Sequence, residues 1–209
     1  MFGIFLIILA SYIAGSIPSA VWIGKLAKGI DVREHGSKNA GATNTMRVLG
    51  VKIGIPVLLI DVFKGFAAVK LAFFSGFSGD AFVSLQIGLG AVAVLGHVFP
   101  VFAGFRGGKG VATIVGVLLA LHWQATLVAI ALFLITLFIS KYVSFGSLVM
   151  GLSFPVSVIF IFHPDITPLS LKIFSAVVCA LLFVTHRKNI SRLMNGTENK
   201  ATFLFGGGK

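Results

Sequence analysis

Three polar clusters in this chain have the residue types and spacing that chemistry on a phosphorylated substrate needs. The first is Glu34-His35-Gly36-Ser37-Lys38-Asn39-Ala40-Gly41-Ala42-Thr43-Asn44-Thr45-Met46-Arg47. It is rich in small residues, hydroxyls and side-chain amides, with cations at Lys38 and Arg47, and a turn region of this kind can bring backbone N–H groups and a guanidinium onto a phosphate or an acyl oxyanion. The second is Gly96-His97-Val98-Phe99-Pro100, then Gly104-Phe105-Arg106-Gly107-Gly108-Lys109-Gly110-Val111-Ala112-Thr113. Its glycines flank two cations where a helix is predicted to begin, so N–H groups, helix dipole and positive charge converge on an anion. It is not a Walker A loop: Ala103 and Gly110 stand where that pattern requires Gly and Ser or Thr, and nucleotide hydrolysis loses its support. The third is His186-Arg187-Lys188-Asn189-Ile190-Ser191-Arg192-Leu193, ending in Asn195-Gly196-Thr197-Glu198. A basic tail of this sort anchors lipid headgroups, but His186 and Asn189, three apart, share one face if a single helix runs through them.

The chain that must position these clusters has 209 residues, 57% hydrophobic and 11% charged, with mean hydropathy +1.03. A soluble domain carries roughly 25% charged residues, so a soluble globular fold is excluded and an all-α integral membrane protein is expected. The net charge of +11 would suit nucleic acid, but at this hydropathy membrane lipids are the first partner for it, and no nucleic acid is expected. The acidic residues Asp31, Glu34, Asp61, Asp80, Asp165 and Glu198 are too scattered to hold Mg²⁺ or Mn²⁺, so no metal and no cofactor is expected. The one cysteine, Cys179, lies in an apolar run and reads as a small core hydrophobe.

A bilayer core of about 30 Å takes roughly 20 apolar residues. Apolar runs fall at 2–23, 53–74, 81–102, 111–139, 143–162 and 169–185. The fourth, about 29 residues, would be roughly 43 Å long as one helix, and His122-Trp123-Gln124 is the polar interruption that divides it into two short helices. Seven spans then place fourteen of the seventeen Lys and Arg residues on one side, in the loops after the first, third and fifth spans and in the C-terminal stretch from Arg187 to Lys209, of which 195–209 is the cytoplasmic tail. The opposite loops, around 76–80, 122–124 and 163–168, contain none, so the N-terminus is expected outside and the C-terminus and the three clusters in the cytoplasm. The first run has no basic residue ahead of it and reads as a retained anchor. Residues 1–209 are expected to form a single domain.

Within the spans, Asp61 and Lys64 are spaced to neutralise each other on one helix face. Ser144 and Ser147 are candidates for helix caps or for a polar cavity. His122 and His163 fall in outer loops and are expected to be solvated.

Taken together, the clusters resemble the bacterial glycerol-3-phosphate acyltransferase family that uses acyl phosphate as donor, the PlsY-like family. The likeness spans essentially the whole chain: Gly15-Ser16-Ile17-Pro18, Gly36-Ser37 with Asn39, Gly41-Ala42-Thr43-Asn44 and Arg47, Gly96-His97 with Pro100, Gly107-Gly108-Lys109-Gly110-Val111-Ala112-Thr113, and His186-Arg187 with Asn189, Ile190, Arg192, Leu193, Gly196 and Glu198. Lys188 and Arg106 are mild departures, standing where relatives often carry Glu and Lys.

The resemblance implies a seven-span fold and acyl transfer from acyl phosphate to glycerol 3-phosphate, giving lysophosphatidate and phosphate at the start of phospholipid synthesis. The setting it implies is the bacterial cytoplasmic membrane, with a monomer at work. It also implies that Ser37, Arg47, His186 and Asn189 are essential, that Gly107, Gly108 and Lys109 form the glycerol-phosphate site, and that Glu198 serves structure. Asn39, Gly41, Asn44 and Gly110 are further candidate substrate contacts, and His97, His186 or a substrate phosphate is the candidate proton acceptor, with no choice among the three.

An acyl phosphate is already activated, so Ser37 need not be a nucleophile and direct attack by the glycerol hydroxyl is expected. Acyltransferases of the type marked by His, four residues, then Asp are disfavoured, because the positions five after each histidine are Ala40, Phe102, Leu127, Pro168 and Ser191. The alternative, an organic-phosphate transporter or exchanger, would place its site at the membrane midplane and not at one face.

Overall fold

The computed structural model describes residues 2–162 and 167–204, so His163, Asp165 and Lys209 lie outside the described residues. The described residues are helical, with no strand among them. Two compact units divide the chain, Met1–Leu121 and His122–Lys209.

In the first unit the apolar run 2–23 is not one helix. It forms α1 (Phe2–Gly15) and α2 (Ser19–Lys28), separated at Ser16-Ile17-Pro18. Pro18 has no N–H to donate and disfavours a helical residue before it, so the break falls where the sequence puts it. The carbonyl this frees at Ile17 accepts a 2.8 Å hydrogen bond from Lys64 Nζ, and Ser19 Oγ donates 2.7 Å to Asp61 Oδ1. Asp61 and Lys64 thus pair as expected, at 2.8 Å, and the same two side chains stitch α4 (Val51–Lys70) to the broken segment.

The short helix α3 (Ala42–Leu49) precedes α4, and α5 (Gly79–Val98) and α6 (Val111–Leu121) complete the unit. Small residues let backbones touch in this unit. An added Cβ on Gly15 would strike the Ala93 carbonyl of α5, and one on Gly116 of α6 the Val62 carbonyl of α4. Apolar burial supplies little drive between helices in lipid, so close packing of this kind holds them together.

In the second unit, α7 (Trp123–Ser140) and α8 (Val143–Val156) form a hairpin turned by Lys141 in the left-handed region at φ 64°. Then come a π-helical turn at Ser157–Ile161, α9 (Leu169–Thr185) and α10 (Arg187–Met194). The expected division at His122 is present, but only α6 is short: 11 residues, or about 16 Å. His122 is no idle solvated residue, since its Nδ1 accepts from Ala125 N at 3.3 Å and caps α7.

Among the described residues four stretches are long and apolar enough to cross a membrane: Phe2–Lys28, Gly79–Ala103, Trp123–Ser140 and Val143–Ile161. A fifth is Leu169–Thr185 with Arg187–Met194, counted as one span bent by 60°.

Candidate active site

The glycine loop is built on the end of α5. After Val98 the chain doubles back through a 3-10 turn at Val101–Ala103 and left-handed Gly104 and Phe105. Gly107 N then donates to Val98 O at 3.1 Å, and Gly108 N donates to His97 O at 3.2 Å. These two N–H groups cap α5. What the loop offers an anion is the first turn of α6, whose N–H groups have no acceptor within their own helix, with Lys109 just ahead of it. Gly110, at φ 78°, turns the chain into α6 in a conformation that a side chain would strain.

Arg33 holds the loop from the other side. Its Nη1 donates to the carbonyls of Ala103 (2.8 Å) and Arg106 (3.1 Å), while Nε and Nη2 grip Asp31. That guanidinium outweighs the opposing effect of burial and holds the Asp31 carboxyl down at about 2. Because the folded-state value is depressed, the clasp is intact above the ordinary carboxylate range and is lost only as pH falls towards 2.

The first cluster is organised by Asn44, which is 1% exposed. Its Oδ1 accepts from Ser37 N at 2.8 Å, and its Nδ2 donates to the carbonyls of Val32 (2.8 Å) and His35 (3.1 Å). With its amide engaged in this way, Asn44 shapes the loop. Gly41 caps α3, accepting from Thr45 N and Oγ1 through its carbonyl. Ser37 is exposed, and Asn39, Gly41, Arg47 and Lys109 are half-buried.

The first two clusters meet at Gly108. An added Cβ there would strike His97 Nε2 and stand 2.7 Å from the Ala40 carbonyl. His97 itself is buried, with Nδ1 3.5 Å from Asp61 Oδ1.

His186 and Asn189 belong to the second unit. The helix does not continue straight through them: it bends by 60° between α9 and α10, so the shared helical face is corrected to two separate anchorages. His186 is buried and its Nδ1 donates to Leu182 O at 2.9 Å. Asn189 Nδ2 donates to Glu198 Oε1 at 2.8 Å, where Ser144 Oγ also donates at 2.9 Å, and Arg192 Nε pairs with Oε2 at 2.6 Å. Ser144 is therefore a tether and no cap, while Ser147 bonds back to Val143 O.

Burial raises the Glu198 carboxyl, but the hydrogen bonds from Arg192, Asn189 and Ser144 prevail and leave it below the ordinary range. Its contribution to stability is present above about pH 4.3 and fades as pH falls through the depressed value. Melting curves from pH 7 to 3 should show a fall in Tm that flattens in Glu198→Gln, with that variant already lower at pH 7 by roughly 2–4 °C per kcal/mol lost. Identical curves would remove Glu198 from the account.

Sequence reasoning missed two contacts, Asp61 with His97 and Arg33 with the glycine loop. An ionisable residue inside a span is a functional candidate by default, so Asp61 had a signal; Arg33 had none.

Long apolar helices, with a cation-bearing glycine loop braced at the start of α6, are those of a helical integral membrane protein. Residues 5–196 match the family Glycerol-3-phosphate acyltransferase, and the chain belongs to that family of acyltransferases. The glycerol-3-phosphate acyltransferase of Fusobacterium nucleatum is 45% identical, over 95% of this chain and 98% of the relative. That of Chlorobaculum tepidum is 43% identical, over 94% and 96%. The crystal structure of PlsY (YgiH), an integral membrane glycerol 3-phosphate acyltransferase, in its glycerol 3-phosphate form is similar with TM-score 0.83 at 36% identity, covering 94% of both chains. Its lysophosphatidic acid form gives 0.81 at 35%.

Proposed function

We propose that this chain transfers a fatty acyl group from acyl phosphate to glycerol 3-phosphate, releasing 1-acyl-glycerol 3-phosphate and inorganic phosphate, as the first step of phospholipid synthesis. The observation that carries the reading is the loop Gly107-Gly108-Lys109-Gly110, clamped by Arg33 and by the end of α5 so that Lys109 precedes the open first turn of α6. That placement suits a soluble phosphate ester.

Ser37, Arg47 and Asn39 in the first loop would supply further polar contacts to a phosphate and the developing oxyanion, and His186 and Asn189 of the second unit are read, from the family resemblance, as essential residues. The donor is already a mixed anhydride, so no covalent acyl-enzyme and no metal is needed.

Purified protein in detergent, given glycerol 3-phosphate with acyl phosphate, acyl-CoA or acyl-carrier protein, should form product from acyl phosphate alone. Turnover of another donor would change the substrate. Movement of glycerol 3-phosphate only across sealed vesicles would replace transfer by transport.

We further infer a single domain of seven spans, working as a monomer in the bacterial cytoplasmic membrane, with N-terminus outside and clusters inside. In a Cys179→Ser background, Asp80→Cys should react with an impermeant thiol reagent from outside the cell, and Lys200→Cys only after permeabilisation. Labelling of the tail from outside would overturn the topology.

A further inference from the structure

A line of side-chain contacts in the first unit runs from the helix break at Ser16-Ile17-Pro18 to the place where the two loops meet. Lys64 Nζ holds the Ile17 carbonyl, and Lys64 and Ser19 both bond to Asp61 Oδ1. His97 Nδ1 lies 3.5 Å from the same oxygen, and neither Nδ1 nor Asp61 Oδ2 has a hydrogen-bond partner among the described residues. A buried polar group is costly to leave unpaired, so the carboxylate is what this end of the ring is held towards. At the other end Nε2 packs on Gly108, where an added methyl group would meet both the ring and the Ala40 carbonyl. The main-chain carbonyl of His97 accepts from Gly108 N at 3.2 Å, so ring and backbone grip one residue.

We propose that Asp61 and His97 are positioning residues for the glycerol 3-phosphate site: Asp61 fixes the rotation of the imidazole, and the imidazole sets how the Gly107-Gly108-Lys109 turn lies against the first loop at Ala40. The ring acts as a spacer and touches no substrate. The inference rests on the reading above, in which Lys109 and the first loop meet this ester.

The arrangement has leverage over binding. Lys109 follows Gly108 directly and Ser37 and Asn39 come just before Ala40, so a turn of the ring shifts one set of phosphate donors relative to the other. A misplacement of about 1 Å can cost as much as a hundredfold. Packing alone does not choose between a histidine ring and its flipped form, because the last torsion of the side chain is roughly two-fold, whereas a carboxylate on one side does. Stability alone does not account for the pair either: a buried ion pair is often no more stabilising than apolar residues of the same size.

The test exchanges the pair for apolar side chains, Asp61→Leu with Lys64→Met, which leaves no stranded charge. Titration calorimetry of the detergent-purified variant with glycerol 3-phosphate should give a Kd raised about tenfold, while KM for the acyl donor stays within about twofold. Asp61→Asn with Lys64→Met keeps an oxygen that can accept from Nδ1 and should recover most of the affinity. His97→Leu, which leaves the ion pair intact, should lose about tenfold by itself, and it carries the test if the double replacement does not fold. Adding His97→Leu to the Leu–Met variant should cost less than a further twofold or so, because Asp61 acts through the ring.

Melting temperatures establish that each variant is folded. An unchanged Kd in a folded variant, equal weakening towards both substrates, no recovery with asparagine, or losses that multiply in the combined variant would overturn the positioning role. Calorimetry needs no acyl donor, so a failure of the acyl phosphate reading is separate from a failure of this one. Wild-type protein that binds no glycerol 3-phosphate would overturn both.

Discussion

Lys109→Ala should lose between about tenfold and a hundredfold in kcat/KM for glycerol 3-phosphate, the equivalent of one charge-assisted contact of roughly 1.5–3 kcal/mol. The loop around Lys109 is braced by backbone hydrogen bonds at Gly107 and Gly108 and by Arg33, none of which uses the lysine side chain. The bracing of the loop should therefore survive the substitution, and the loss should fall mainly on KM if the contact forms equally in the ground and transition states. Steady-state kinetics against glycerol 3-phosphate check this. Wild-type kinetics would move the phosphate towards Arg47. Gly108→Ala, whose methyl group would meet His97 Nε2 and the Ala40 carbonyl, should displace the loop and lower kcat/KM as well.

Asp61→Ala is expected to cost about 3–5 kcal/mol, because it leaves the Lys64 ammonium buried without its counter-ion. The same change takes the acceptor from Ser19 Oγ. In detergent this should lower Tm by roughly 10 °C or more for a chain of this size. Adding Lys64→Met to the same variant should restore most of the loss by removing the stranded charge. An unchanged Tm in Asp61→Ala alone would mean that water reaches the pair and that α4 does not depend on it.

The helical membrane class, the division at His122 and the Asp61–Lys64 pair were all legible in the sequence, since hydropathy, a polar interruption and an i, i+3 spacing act locally along one helix. The break after Gly15 was legible only as a small-residue stretch, although Pro18 carried the signal. The polar clusters were visible as composition, but which of their atoms face inward was not. The hydrogen bonds that Gly107, Gly108 and Asn44 make within the protein were hidden because amides and glycines have the same composition whether they meet a phosphate or a neighbouring backbone. Only tertiary structure shows that Val98, His97, Val32 and His35 are the acceptors. The bend at His186 was hidden for a similar reason: helix periodicity extrapolates through a break that Asn189, Ser144 and Arg192 impose by converging on Glu198.

The last three carbonyls of the α5 segment, at His97, Val98 and Phe99, are taken by Gly108 N, Gly107 N and the Tyr12 hydroxyl. A glycine-rich loop is usually credited with suppleness, but here glycine is used for thinness, since a side chain at 107 would run into the capped His97 and Val98 carbonyls and one at 108 into the His97 ring and the Ala40 carbonyl. The loop is therefore already in place before any ligand arrives. The entropy of ordering it is met by folding and not by binding, which leaves the full worth of each phosphate contact available for affinity, and no hinged lid has to close over the arriving ester.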